Sequence, residues 1–259
     1  MDIKEHRAGS ARGTAGRHPW ELARVKIVEK YLLRHVPSPF SVVDIGCGDA
    51  FVMEQLARDF PGTQFYGVDT AFDDQLLTEY TERIGNSSVR LYRSAGELPP
   101  ELSAPSAVLL LDVIEHISDD AAFLGQIASL PQIGNDTVFL ITVPAYPGLF
   151  TIHDTWLGHY RRYTLRSLHA ALKQVGLKPV DSGYLFFSLF LARAVQKVLQ
   201  AVRKPDESQM TGIGGWKSHP VADRLIVFFL LADVALARFL RIFGIRLPGL
   251  SCIAVCRRQ

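Results

Sequence analysis

The 259 residues carry 28 Lys and Arg against 26 Asp and Glu, three cysteines and 48% hydrophobic side chains. That balance suits one elaborated domain with a sizeable core. No apolar run reaches the roughly 18 residues of a membrane span, although mean hydropathy is +0.12. Three cysteines are too few for a disulfide framework and suit a reducing, cytoplasmic compartment.

Residues 1–18 are polar, rich in Arg and Gly, and lack an apolar signal core, so a flexible arm is expected there. A first strand is expected over Ser41–Ile45, followed by the turn Gly46-Cys-Gly48 and a helix over Ala50–Phe60. Further strands are expected at Gln64–Val68, Val89–Tyr92, Ala107–Leu111 and Thr137–Val143. Their nearly continuous apolar character fits parallel strands covered on both faces. Helices are expected at Asp74–Ile84, at Asp119–Leu130 capped by Ser118 or Asp119, and at Leu165–Val175 between a Thr164 cap and Gly176. The pattern is α/β throughout.

The first turn carries the chemistry. Its glycines let backbone approach a ligand where a Cβ would clash. Asp69 ends the second apolar run, twenty-one residues after Gly48, where an acid can accept from two ribose hydroxyls. A dinucleotide fingerprint needs a third glycine, but Phe51 stands there, which argues against a nicotinamide oxidoreductase. Asp44 is two residues before the first glycine, an awkward place beside a pyrophosphate and a suitable one beside a cation.

These residues resemble the class I S-adenosylmethionine-dependent methyltransferases, whose first motif has this Asp-x-Gly-x-Gly form. The resemblance implies a seven-stranded, mostly parallel Rossmann-like sheet with helices on both faces. Its sixth and antiparallel seventh strands would be Lys178–Phe186 and Ser251–Arg257. It implies S-adenosylmethionine as cofactor, with Asp44, Gly46, Cys47 and Gly48 around the methionine end. Asp69 and the adjoining Thr70 would meet the ribose, the Ala95 backbone the adenine ring, and Asp112 the methionine moiety. Ser94 stands where the family often has an adenine-binding acid.

Two segments are candidates for the acceptor side. Leu111-Asp-Val-Ile-Glu-His-Ile117 looks like the Glu-His segment of the ubiquinone-biosynthesis-like branch, placing His116 beyond a strand's carboxyl end. His153-Asp-Thr-Trp-Leu-Gly-His-Tyr-Arg-Arg-Tyr163 follows the fifth strand. It resembles segments of bacterial methyltransferases linked to cell-surface or lipid-type products. A hydroxyl acceptor needs a base, and His is the side chain tuned for that near neutral pH. His159 and His116 are the leading candidates, with His153 and Tyr163 beside them. Metal binding by His153, Asp154 and His159 lacks a specific ligand spacing, so no metal is expected.

Between the last two strands lie about sixty residues that a plain hairpin does not need. Apolar helices are expected at Leu185–Val202 and Val221–Phe243, joined by a polar, Gly-rich link near Lys204–His219. The division is thus an arm at 1–18, a methyltransferase domain at 19–184 and 248–259, and a helical insertion or lid at 185–247. Residues 184–259 hold eleven Lys and Arg against four Asp and Glu, a net of +7. Three uses fit: a cap on its own core, a cap that also touches anionic membrane or a lipid-like substrate, or a dimer interface. Nucleic acid is not expected, because aromatics do not interleave with the basic residues. The chain is expected to methylate a small or lipid-linked acceptor, at oxygen, in the cytoplasm or on the inner face of the membrane. A catalytically idle cofactor-binding scaffold of a membrane pathway is the alternative.

Overall fold

The computed structural model describes residues 17–37, 40–102, 104–202, 216 and 218–259. Seven strands form one sheet: β1 (Ser41–Ile45), β2 (Gln64–Val68), β3 (Val89–Tyr92), β4 (Ala107–Leu111), β5 (Val138–Pro144), β6 (Leu177–Leu185) and β7 (Ser251–Arg258). Their order is β3-β2-β1-β4-β5-β7-β6, and only β7 runs antiparallel to its neighbours. β6 stops at Leu185 because Phe186 takes φ +64 and turns the chain out of the sheet. β5 runs on to Pro144, opposite Ser251.

The helices are α1 (Pro19–His35), α2 (Phe51–Asp59), α3 (Asp74–Ile84), α4 (Asp120–Ala128), α5 (Ile152–Leu157), α6 (Leu165–Gln174), α7 (Phe187–Val202) and α8 (Pro220–Ile242). Asp119 caps α4 through the Ala122 amide, and Thr164 caps α6 through the Ser167 amide. α1 is an addition to the expected elements. The His18 ring accepts from the Trp20 amide, and Glu21 reaches back to the His18 amide. Pro19 occupies the first turn, where its missing N–H costs nothing.

Two apolar clusters cover the two faces of the sheet. On one face α1, α2, α3 and α8 contribute Val28, Leu32, Met53, Leu56, Tyr80, Leu230 and Val234. On the other α4 and α6 contribute Leu124, Ile127, Leu168 and Leu172. Alternate residues of the central strands feed opposite clusters: Leu109 faces the first and Leu110 the second. Each such fully buried side chain stabilises the fold by about 1.5–3 kcal/mol.

α7 and α8 occupy the stretch between β6 and β7. α8 lies beside α1 and runs the same way. Trp216 meets the His18 ring at one end, and Arg238 lies over the Tyr31 ring at the other. Asp233 of α8 accepts from the Ser188 amide and hydroxyl, 2.8 and 2.7 Å, which ties the two helices together. Among the described residues no helix is long and apolar enough to cross a membrane. The expected arm lies outside the described residues except Arg17 and His18, which belong to the start of α1. The expected link lies outside them except Trp216, Ser218 and His219.

Candidate active site

The carboxyl ends of β3, β2, β1 and β4 stand side by side. They bring together the segments holding Ala95, Asp69 with Thr70, the Gly46–Gly48 turn, and Asp112. At the turn Gly46 has φ +72, and a Cβ there would meet Val113 Cγ2 at 2.6 Å. Gly48 has φ +58. The amides of Gly46 and Cys47 both donate to the Val68 carbonyl, at 2.7 and 3.1 Å, which fixes the loop against β2. Burial and the neighbouring Asp44, Asp69 and Asp49 push the Cys47 thiol well up, so it stays neutral and contributes backbone only.

Asp69 ties the turn to β2. Its Oδ2 accepts from the Gly48 amide at 2.8 Å and its Oδ1 from the Ala71 amide at 2.9 Å. Each carboxylate oxygen can accept a second hydrogen bond, so the group remains able to take hydroxyl donors. Thr70 beside it is exposed, and Ala95 opens a short 3-10 turn, Ala95–Glu97.

Asp44 is 2% exposed, and its Oδ1 has no hydrogen-bond partner. Burial raises its pKa to about 7, against the opposing pull of Arg24. An orphaned buried acid at a glycine turn is a receptor for a cation or a donor.

Arg24 is the residue that sequence reasoning missed. It leaves α1 and donates to Asp112 Oδ2 at 2.7 Å and to the Leu111 carbonyl at 3.3 Å. Asp112 itself sits at φ +58, with its Oδ1 taken by the Thr142 hydroxyl at 3.3 Å. Asp112 is therefore an ion-paired acid, and the same Arg24 charge also acts on Asp44.

Three residues past Asp112 the chain enters the second candidate region. Glu115 and His116 form a short 3-10 turn after β4, and the Glu115 carbonyl accepts from the Tyr160 amide at 2.7 Å. Glu115 is fully buried with neither carboxylate oxygen hydrogen-bonded. Burial and the nearby Asp112 push its carboxyl well above the usual range.

Asp154 organises the segment after β5. It caps α5 by accepting from the Thr151 amide and hydroxyl at 2.8 and 3.0 Å. It also accepts from Arg162 at 2.7 Å and faces His159 Nδ1 at 3.2 Å. Burial alone would raise its carboxyl, but the His159 and Arg162 hydrogen bonds hold it well below the ordinary range. Gly158, at φ +82, ends α5 and swings His159 back onto this carboxylate. The His159 ring then meets His116 edge-on, 4.6 Å between centroids and 88° between planes. The two leading candidates are neighbours.

The other two candidates are placed elsewhere. Tyr163 is buried, and its hydroxyl donates to Asp120 at 2.6 Å, which makes it a strut between β5 and α4. His153 turns to Arg193 of α7 and to the Trp156 ring. Burial and Arg193 lower its pKa to about 4, leaving a neutral imidazole. His153, Asp154 and His159 do not form the cation-ready set. Among the described residues the grouping with ligand atoms within 4.8 Å of one another is Glu115, His116 and His159.

Helix α7 packs against the segment that follows β5. Lys197 of α7 donates to the Gly148 and Phe150 carbonyls. Phe190 of α7 and Tyr184 of β6 pack on the Tyr146 ring, at 5.2 and 5.0 Å. These aromatics are spread over 44 residues of sequence, so no local motif marks them.

Residues 20–182 match the family model described as "Methyltransferase domain". Searching curated proteins finds no match. Solved structures share the fold at low identity. The Burkholderia thailandensis 1,6-didemethyltoxoflavin-N1-methyltransferase, with 1,6-didemethyltoxoflavin and S-adenosylhomocysteine bound, is 16% identical. It has a TM-score of 0.51 over 91% of this chain and 76% of its own. Coclaurine N-methyltransferase, bound to N-methylheliamine and S-adenosylhomocysteine, is 15% identical with a TM-score of 0.54, over 90% and 72%. The [4+2]-cyclase SpnF is 16% identical with a TM-score of 0.54, over 92% and 83%. One architecture thus carries different reactions, and the reaction must be argued from the site.

Proposed function

Because the chain belongs to the methyltransferase domain family, we propose that it moves a methyl group from S-adenosylmethionine to an oxygen of a small or lipid-like acceptor. When bound, that cofactor supplies a methyl group on a cationic sulfonium. The residues at the β1–β4 ends suit it. The orphaned Asp44 oxygen fits an ammonium, and the Arg24 guanidinium fits a carboxylate, which it would share with Asp112. Asp69 fits a ribose diol, with Thr70 and the Ala95 backbone along the same rim.

The observation that carries the acceptor side is the His159 ring held between Asp154 and His116. With Nδ1–H donated to Asp154, the tautomer leaves Nε2 as the acceptor of a proton. His159 is then the general base that takes the proton of an acceptor hydroxyl, and His116 positions the ring. Such a base contributes roughly 10²–10⁴-fold to rate. Arg162 keeps Asp154 anionic, so Asp154 orients the imidazole without taking its proton.

The insertion bears on the acceptor's nature. α8 points Val221, Leu225, Phe228, Phe229, Leu236 and Phe239 outward, opposite its buried Leu230 and Val234. Phe228 is 64% exposed, and Ile242 at the helix end is 77% exposed. On a helical wheel the six outward residues form a stripe without a charged residue, bordered on the Ile242 side by the exposed Arg224, a composition that suits the boundary between hydrocarbon and headgroups. This supports peripheral contact with the membrane and an acceptor drawn from it. Four basic residues of the insertion are engaged by the protein itself. Arg193 and Lys197 meet the α5 region, and Arg238 and Arg241 meet Asp181. Apolar insertion, more than bulk charge, is then the main source of attachment.

Incubation with methyl-labelled cofactor and cell extract, followed by separation into lipid and aqueous phases, tests this reading. Label in the lipid phase that a His159→Ala variant fails to deposit is expected. Label in neither phase, from a protein that binds S-adenosylhomocysteine, would contradict it.

A further inference from the structure

One hollow takes no part in the chemistry above. It encloses about 520 Å³ at the sheet edge, between β6, α6 and the end of α8. β6 is four strands from β1, so strand spacing alone puts it roughly 19 Å from the Asp44 turn. Its charged lining is entirely basic. Arg166, His169 and Lys173 come from α6, Arg238 and Arg241 from α8, and Arg246 from the turn beyond.

No Asp or Glu lines the hollow. The acid beside it is Asp181, 3.2 Å from Arg241 and 4.0 Å from Arg238, and also 3.4 Å from His35. One carboxylate shared in this way leaves Arg166, Lys173 and Arg246 without an acidic partner among the described residues around the same space. Like charges held together by a fold repel, and an anion placed between them removes that cost. His169 adds a buried Nε2 with no hydrogen-bond partner among the described residues. Its pKa is lowered by burial and by Lys173 and Arg246, so near neutral pH it offers a hydrogen bond in place of a charge.

We propose that this hollow binds a phosphate group carried on an organic ester. The planar forks of several Arg side chains match phosphate oxygens, and the volume is that of a small-ligand site. The residues between the basic lining positions favour a lipid as the carrier. Phe239, Ile242, Phe243 and Ile245 alternate with Arg238, Arg241 and Arg246, and all four are 50–77% exposed. A headgroup in the hollow would leave its chains against that apolar rim. The site stands on charge and shape and does not depend on methyl transfer.

The test uses the full-length protein and the combined variant Arg166→Gln, Lys173→Gln and Arg246→Gln, three exposed side chains whose loss should not disturb folding. The probes are glycerol 3-phosphate by calorimetry, and phosphatidylcholine vesicles with and without phosphatidylglycerol by co-sedimentation. The intact protein should bind one or both phosphate probes, and the variant should bind at least about tenfold more weakly. Binding of glycerol 3-phosphate assigns a soluble ester. Retention only by phosphatidylglycerol vesicles assigns a lipid headgroup. Failure of both probes, or equal binding by the variant, overturns the site. S-adenosylhomocysteine affinity should be the same in both proteins, so a failure of the methyl-transfer reading shows separately.

Discussion

His159 Nδ1 lies 3.2 Å from Asp154 Oδ1, and Asp154 is simultaneously the N-terminal cap partner of α5 and the counter-ion of the buried Arg162. One fully buried carboxylate therefore serves folding and the orientation of the candidate base together. Removing its charge leaves Arg162 buried without its counter-ion, with the Ala145 carbonyl as its remaining acceptor, a loss of about 3–5 kcal/mol. Asp154→Asn should lower the melting temperature by on the order of 10 °C. Its depressed pKa means the contribution is present above the unfolded-state value, about 3.9, and is lost as pH falls below it. The difference in melting temperature between the two proteins should hold from pH 7 to about pH 4 and narrow as pH falls further toward about 2. Parallel curves would show that the carboxylate is not held by these hydrogen bonds.

Asp69 and Arg24 should both matter for the cofactor, through different contacts. Asp69→Ala removes charge-assisted bonds worth on the order of 1.5–3 kcal/mol each, so S-adenosylhomocysteine should bind about tenfold or more weakly. Arg24→Met keeps much of the side chain's bulk but leaves Asp112 unpaired and the cofactor carboxylate unmet. A similar weakening is expected in calorimetry. Unchanged affinity in either variant would remove that residue from the site.

The raised Asp44 predicts a pH dependence of binding. Its folded pKa, about 7, lies above the unfolded value. In the protein alone this group favours folding at pH below about 4, and that contribution fades as pH rises through about 7. A bound ammonium favours the ionised acid. The rise in melting temperature caused by S-adenosylhomocysteine should therefore grow from pH 6 to pH 8, and Asp44→Asn should flatten the trend. A stabilisation independent of pH in the native protein would contradict the pairing.

Glu115, His116 and His159 are close enough to hold a divalent cation. A metal on His159 Nε2 would prevent that atom from accepting a proton. Extended dialysis against a chelator should leave the methylation rate unchanged. Loss of turnover restored by added Mg²⁺, Mn²⁺ or Zn²⁺ would reassign the trio from base to metal ligands.

The strands were legible because each is a short apolar run between turn residues, and β1, β2, β3 and β4 match the expected bounds. The turn at Gly46–Gly48 and the acids at 44, 69 and 112 lie at the strand ends where the sequence pattern put them, and their contact with a cofactor is part of the proposal. α1 was not. Its buried face includes Glu21 and Arg24, charged residues that break the apolar period because Glu21 caps the helix start and Arg24 pairs with the distant Asp112. Arg24 and Asp112 are 88 positions apart, and no local pattern links them. The roles of Tyr163 and His153 were equally hidden, since each is decided by a distant partner, Asp120 or Arg193. Net charge over 184–259 was read correctly as a count, yet its direction depends on which face of α7 and α8 each Arg and Lys occupies.

The central claim is that His159 removes a proton from the acceptor while playing no part in cofactor binding. The direct measurement is the rate of label transfer from S-adenosylmethionine to the extracted acceptor by native protein, His159→Ala and His116→Ala, beside the S-adenosylhomocysteine Kd of each. His159→Ala should keep its Kd and melting temperature and lose roughly 10²–10⁴-fold in rate, while His116→Ala should lose less. Equal rates in native protein and His159→Ala would contradict the account.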